Sequence, residues 1–362
     1  MADKTIGLDD MVVHVLNVGF GDAIVVELPK NSQGKRWVGI VDCYKGPKTL
    51  RYLRKIRQIR PFEGIAFVCA THPHQDHIAG INAVLTDAMA QGCEFWDSGF
   101  RHQSATYKKV LETVRKKHIP MRRVSSGMEW YYGKVRITVL APSVALRNRY
   151  ATYGVDMNNA SVVLRLEHCA DDAVTVQSLR YTGSADPDAV RSAGKSVVIL
   201  AGDAEFDSWA QVTEEYPFIE SGSKNKPLVK KRVNLLNCSV IKVAHHGSMH
   251  SAPLDVYERM TPTLAVVSNK QSVSPKTIRG RKIRRGLFPH QTTSLSLQEV
   301  GSHVLTTDGS HETSTNAARY RHAGTVVAVV PAGKKPWYTK LKDKTAQTPE
   351  PPHKVKAKDL CS

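Results

Sequence analysis

The sequence predicts an α/β protein, an αβ/βα four-layer sandwich in which two mixed sheets lie face to face with helices outside. Three observations predict it. Apolar runs of strand length, rich in β-branched residues, recur along the chain between segments of helical periodicity. Five of these runs adjoin clusters of His, Asp or Asn, a repeat that brings strand ends together on one cleft. The chain has 362 residues and a 41% hydrophobic fraction, enough to bury a substantial core.

MVVHVLNV and AIVVEL read as two strands around a tight turn at Gly19-Phe20-Gly21. RWVGIVDCYKG supplies a third strand, Trp37 to Val41, with Asp42 at its end. Pro47 to Ile59 is helical by period, with Leu50, Leu53, Ile56 and Ile59 on one face and Arg51, Arg54, Lys55 and Arg57 on the other. IAFVCA is a short buried strand, and residues 78–91 continue as a helix that buries Ile81, Val84 and Leu85. Tyr107 to His118 is helical, and EWYYGKVRITVLAP reads as a hairpin. SVVLRLE, SVVILAGDAE, SVIKVAHHGS and LAVVSNK are core strands; the polar stretch 170–195 is a loop insertion without evident chemistry. Strands near 303–308 and 324–330 close one domain, residues 1–331. Residues 332–362 are Lys- and Pro-rich and are expected to form a disordered basic tail, able to contact a protein partner.

Chemistry concentrates in CATHPHQDHIAG, Cys69 to Gly80. His72, His74, Asp76 and His77 fall where a strand gives way to a loop and a helix. A strand end aims alternate residues the same way, so His72 and His74 are expected to grip one ion, and Asp76 and His77 a second. Imidazole and carboxylate suit Zn, Mn or Fe. SVIKVAHHGS repeats the pattern: His245 is assigned to the second metal and His246 to a phosphate or leaving-group contact, while Ser248 either donates to phosphate or caps a helix.

The chain carries 51 Lys and Arg against 33 Asp and Glu, a formal charge of +18. Such an excess favours polyanionic partners, nucleic acid first. Two segments are candidates to hold a strand: the helix carrying Lys108, Lys109, Arg115 and Lys116, and the loop 270–286 carrying Arg279, Arg281, Lys282, Arg284 and Arg285. The six cysteines form no CxxC pair, which argues against a zinc ribbon. MADKTIGLDD lacks the features of a signal peptide, and no window approaches 18 consecutive apolar residues, so no membrane span and a cytoplasmic location are expected.

HxHxDH after an apolar strand resembles the signature of the metallo-β-lactamase fold. LNVGFGDAIVVELP, DMNNASVVLRLE, VVILAGDAE and SVIKVAHHGS follow in the order found in the hydrolase domain of ComEC-type competence proteins, over residues 11–330. The resemblance implies that Asp203 bridges two divalent ions, Zn or Mn, roughly 3.5–4 Å apart. It implies that Asp42 buttresses the ligands and that Asp22 lies in a glycine motif against the site, with Asn17 where Asp is usual. Asn158 and Asn159 stand where many relatives have a third His. Asn159 is then a poor zinc ligand and an oxygen donor for harder ions, so either the first site is loosened, or one metal is held weakly, or Mn is preferred. His290, in Pro-His order where relatives have His-Pro, is a candidate site contact. With Asp76 orienting the attacking water, the implied activity is a metal-dependent phosphodiesterase, most readily a nuclease acting on DNA rather than RNA. A small-molecule metallo-hydrolase, or a nucleic-acid-binding module with a degenerate site, is the alternative.

Overall fold

Apolar side chains on both sides of a strand require a sheet covered on both faces. The structure, a computed structural model, describes residues 5–146, 156–169, 196–217, 219–221, 231–270, 276–278, 281–283, 288–313 and 317–343. The first strands are β1 (Met11–Val15), β2 (Ala23–Glu27), β3 (Val38–Cys43), β4 (Ile65–Ala70), β5 (Glu94–Asp97) and β6 (Met121–Arg123). Then come β7 (Glu129–Tyr132), β8 (Val135–Ala141), β9 (Val163–His168) and β10 (Val197–Leu200). A small ribbon follows, β11 (Ile219–Ser221) with β12 (Lys231–Val233), then β13 (Val240–Lys242) and β14 (Leu264–Val267). A second ribbon, β15 (Lys276–Ile278) with β16 (Arg281–Ile283), precedes β17 (His303–Thr306), β18 (Gly324–Val330) and β19 (Trp337–Lys342).

Among the described residues one sheet has the order β19-β18-β1-β2-β3-β4-β5-β6 and the other β17-β14-β13-β10-β9-β8-β7. Each is half parallel and half antiparallel: β3 to β6 run parallel in the first, and β10, β13, β14 and β17 in the second. Period-2 alternation sorts the side chains. Val13, Val15, Ile24, Val41, Phe67 and Cys69 meet Ile137, Leu164, Val198, Val240 and Val266 of the facing sheet. Their neighbours Val12, Val25, Ile40 and Val68 point outward against α1 (Gly46–Ile59), which contributes Leu50, Leu53 and Ile56. On the far side Ile199, Ile241 and Ala265 pack on α5 (Phe206–Glu215) and α6 (Leu254–Met260) through Trp209, Val256 and Tyr257. Helix, sheet, sheet, helix is the four-layer αβ/βα sandwich.

Between β4 and β5 lie two short helices, α2 (Gln75–Ile78) and α3 (Ile81–Thr86); α4 (Ala105–Lys116) follows β5, and α7 (Gln291–Glu299) precedes β17. The parallel register aligns strand ends. Leu200 pairs with Lys242, so Asp203 and His245 each stand three residues beyond paired positions, and Val41 pairs with Cys69, setting Asp42 beside the start of the histidine loop.

Two readings change. β19 pairs antiparallel with β18 from Val329↔Trp337 to Gly324↔Lys342, so the folded chain continues into the segment expected to be a tail. Its Lys content hid a strand because Lys340 is buried and paired with Glu312 at 2.6 Å, while Leu341 faces the core. The described part of the basic segment 270–286 is the β15–β16 ribbon, not a plain loop. The insertion 170–195 and residues 344–362 lie outside the described residues. Cys43, Cys69, Cys93, Cys169 and Cys238 are buried free thiols, and no described helix is long and apolar enough to cross a membrane.

Glu167 is fully buried between Arg136 and Arg165, the latter at 2.7 Å. Burial raises its pKa, but the two guanidiniums prevail and hold it at about 2, below the usual 4.5. A depressed carboxylate stabilises the fold above its unfolded pKa and loses that contribution as pH falls toward the folded one. About 3 kcal/mol is therefore expected to vanish between pH 4.5 and 2, read as the difference in urea unfolding between wild type and Glu167→Gln across that range.

Candidate metal centre

β4 ends at Ala70, and residues 71–74 turn before α2 begins. Strand alternation therefore does not govern the histidine loop, and the pairing expected from it changes. One group of ligand atoms joins His72, His77 and Asp203; another joins Asp76, His77 and His246. His74 stands beside His72, with ring centroids 4.6 Å apart, and belongs to neither group. His77 is common to both because it is the first-turn residue of a helix whose approach is fixed by its contact with Asp42.

Asp42 sits in the left-handed region (φ 55) at the end of β3 and is fully buried. It accepts from the Thr71 amide at 2.8 Å, from the Thr71 hydroxyl at 2.7 Å and from His77 Nδ1 at 2.7 Å. These bonds decide tautomers. In its neutral form His77 carries its proton on Nδ1, which leaves the Nε2 lone pair toward the cluster. Thr71 has given its hydroxyl proton to Asp42, so at 3.2 Å its oxygen accepts from His72 Nδ1. Ser161 Oγ also lies 3.3 Å from that nitrogen and accepts the Asp203 amide at 3.1 Å. His246 Nδ1 donates to the Ser268 carbonyl at 2.9 Å. When neutral, all three rings thus present an Nε2 lone pair, and all three Nε2 atoms are buried without a hydrogen-bond partner, as is Asp203 Oδ1.

His77 Nε2 lies 3.2 Å from Asp203 Oδ2, and His246 Nε2 3.4 Å from Asp76 Oδ2. Burial disfavours a charged His77, but Asp203 and Asp42 prevail and push its pKa well above the ordinary value. Asp203 is driven well below the usual range: burial opposes ionisation, but His77 and His246 outweigh it. For His72 burial dominates and lowers the pKa, with His77 adding to it. A cluster that draws in positive charge and offers unpartnered imidazole nitrogens beside carboxylates is chemically suited to divalent cations.

The two residues of the neighbouring HH pair have different surroundings. His246 is fully buried and faces the cluster. His245 is 25% exposed and donates from Nδ1 to Glu205 Oε1 at 2.6 Å. Both residues adopt left-handed backbone (φ 44 and 51), and this sharp turn sends adjacent rings to different partners, which strand alternation could not reveal. Gly247 (φ 77) completes the turn, where a Cβ would meet Pro289 at 2.7 Å. Glu205 pairs with His245 and receives Asn158 Nδ2 at 3.3 Å, and sequence reasoning gave it no role. Its signal was its place two residues beyond Asp203.

Asn159 Oδ1 accepts the amides of Glu205 and Ser208 at 3.2 and 3.1 Å; it caps α5 and is not an oxygen donor toward the cluster. Ser248 Oγ accepts the His250 amide at 3.3 Å, a local turn. His290 caps α7 through the Thr292 amide, and its own amide donates to the Gly247 carbonyl at 2.7 Å, so it supports the HH turn through backbone. Asp22 is fully buried and ion-paired with Lys242 of the facing sheet. Its amide donates to the Asp76 carbonyl at 3.0 Å. Gly21 (φ 150) lies so close that a Cβ would sit 2.5 Å from the Asp76 carbonyl. Asn17 is spent on Asp343, at 2.8 Å.

Lys108, Lys109, Arg115 and Lys116 are exposed on α4, whose Tyr107, Val110 and Val114 face inward. His102, just before α4, sets its ring 6.0 Å from that of His74 and was not singled out in the sequence. Arg281 and Lys282 fall on β16; Arg279, Arg284 and Arg285 lie outside the described residues.

No protein-family model matches the sequence, and no curated protein matches it. Solved structures are similar in fold. YhfI from Bacillus subtilis, a metallo-β-lactamase fold protein, matches with a TM-score of 0.39 at 11% identity, over 82% of this chain and 96% of its own. CmlA, a diiron β-hydroxylase from Streptomyces venezuelae, matches with a TM-score of 0.41 at 9% identity, over 82% of this chain and 52% of its own. A long form RNase Z from yeast matches with a TM-score of 0.38 at 10% identity, over 82% of this chain and 40% of its own. The chain therefore spans about half the length of the hydroxylase and less of the RNase.

Proposed function

We propose that the chain is a metal-dependent hydrolase of phosphodiester bonds, acting on DNA. The observation that carries the reading is the convergence of the unpartnered Nε2 atoms of His72, His77 and His246 on Asp76 and Asp203, in a chain of formal charge +18. These five residues, with His74 alongside, would hold two divalent ions. Nitrogen-rich donors mixed with carboxylates favour Zn or Mn over Mg. When bound, such ions supply positive charge to a phosphoryl oxygen and make water more acidic.

The remaining steps belong to the protein. Asp76, at 30% exposure the most open carboxylate of the cluster, orients the attacking water, whose proton passes to solvent; burial opposes its ionisation, but His246 and His77 prevail and hold it well below the usual carboxylate range. Asp42 and the Ser268 carbonyl hold protons on the Nδ1 atoms of His77 and His246, keeping both Nε2 lone pairs aimed at the cluster. Glu205 does the same for Nδ1 of the partly exposed His245, so a protonated His245 can release a proton from Nε2 to the leaving oxygen. The role assigned to His246 from the sequence thus passes to its neighbour.

Adding Zn or Mn to metal-free protein is expected to raise the melting temperature, by an amount equivalent to about 2.7 kcal/mol at a hundredfold excess over Kd. His77→Ala and Asp203→Asn should abolish the shift and Ser248→Ala should keep it; an unchanged melting temperature would remove the metal centre. On plasmid and single-stranded DNA, cutting should appear with Mn or Zn, disappear in EDTA, and fall at least about a hundredfold in Asp203→Ala. Absence of cutting with every metal would end the nuclease reading. His245→Gln should lower turnover of DNA by about a hundredfold, yet lower turnover of bis(p-nitrophenyl) phosphate, whose leaving group needs no proton, far less. Equal losses on both would deny His245 the acid role.

A further inference from the structure

Beside the Gly19–Gly21 turn lies an open cavity of about 770 Å³, on which four cations converge: Lys45, Lys48 and Arg51 from the start of α1, and Lys270 from the end of β14. Among the described residues Asp308 is the one carboxylate on its wall. Lys48 and Arg51, three residues apart, are neighbours on one helical face, and Lys45 is the residue that precedes the helix. Lys45 and Lys48 also sit at the end of α1 where the backbone dipole is positive, and its first turn has no acid. Cations there repel the helix end, which disfavours the arrangement unless an anion is bound. Lys48 is partly neutralised, holding the Asn17 carbonyl at 2.6 Å and Asp343 at 3.0 Å. Among the described residues Lys45, Arg51 and Lys270 have no ion-pair partner; Lys45 lies 4.0 Å over the Tyr44 ring.

The cavity is one turn away from the metal centre. A Cβ on Gly19 would contact Lys270 Cδ at 3.6 Å, while the next residue, Phe20, sets its ring 4.4 Å from that of His246. Ser268, two residues before Lys270, binds the Gly21 carbonyl at 2.7 Å and receives His246 Nδ1 on its own carbonyl. One wall of the cavity and one wall of the cluster are therefore the same turn. The volume lies within the range of ligand sites, but the lining is cationic where small-molecule pockets are mostly apolar.

We propose that this groove binds the phosphate backbone of the nucleic-acid strand next to the bond being cut. Resting on the phosphodiesterase reading, it deepens that reading by moving the strand's path from the convex face of α4 to the concave start of α1. Phosphates would pair with Lys45, Arg51 and Lys270, and Phe20 would separate them from His246.

The test uses the full chain and a fluorescent phosphorothioate 20-mer of thymidine, which resists cutting, at several salt concentrations. The triple variant Lys45→Glu/Arg51→Glu/Lys270→Glu should bind at least about thirtyfold more weakly, with the slope of log affinity against log salt reduced by about two. A matched variant, Lys108→Glu/Lys109→Glu/Lys116→Glu, controls for net charge and should lose less than about fivefold. Circular dichroism checks the fold, and the corresponding Gln variants replace any reversal that fails to fold. If the groove variant binds like wild type, or loses no more than the α4 variant, the groove is overturned while the phosphodiesterase reading stands. If wild type binds no strand yet cleaves bis(p-nitrophenyl) phosphate, the groove and the DNA substrate both fall and the metal centre remains.

Discussion

Burying like charges together is the constraint on which the rest of the structure depends. Asp22, Asp42 and Asp203 are 0–3% exposed at one edge of the sandwich, with Asp76 beside them. In a low-dielectric interior such a set cannot all ionise without compensation. The fold compensates each one differently. Asp42 accepts three hydrogen bonds from the histidine loop, and Asp22 is ion-paired with Lys242. Asp203 and Asp76 have imidazoles nearby and no Lys or Arg partner among the described residues. These two, unlike Asp22, have no fixed cation, and they are the two that face the cleft.

The same bonds also close the sandwich. Lys242 reaches from the second sheet to Asp22 of the first, Ser268 from the second to Gly21 of the first, and the Val162 amide to the Thr71 carbonyl at 2.8 Å. Parallel strands from both sheets end at this edge, so polar residues beyond their last paired positions meet across the layer gap without any long excursion of chain. Backbone strain is concentrated in the same place. Asp42, His245 and His246 are three of the five non-glycine residues at positive φ among the described residues. Each lies where an adjacent side chain must change direction within one residue.

The architecture was legible because alternation and strand length are local properties. Val12/Val13 and Phe67/Val68 divide between opposite cores, as the apolar runs require. The edge strand β19 was hidden by its lysines, one of which is buried in an ion pair that composition cannot show. At the site, residue types and spacing picked out the histidine loop and Asp203, which the structure brings together. What they could not supply was direction. Whether His245 or His246 faces the cluster depends on two left-handed residues, and whether Asn159 offers its oxygen inward depends on amides 46 and 49 residues away in sequence. Tertiary hydrogen bonds decide both, and neither leaves a trace in local pattern.

A contrast inside the molecule argues most strongly for cations at the edge. Glu27, fully buried, is matched by Arg36 at 3.0 Å, by Arg60 and by His14 at 2.7 Å, and its pKa falls below the usual range as burial is outweighed by these partners. Glu167 is matched by Arg136 and Arg165. Where the chain needs only a stable buried acid, it supplies guanidinium, whose charge is permanent and whose forked donors fit a carboxylate. At the strand ends it supplies imidazole, which is neutral when one nitrogen is protonated and then offers a lone pair. Three such rings, each with Nδ1 already committed to an oxygen, keep their second nitrogen for the cluster. They make a concentrated set of donors for a positive charge that the polypeptide itself does not provide.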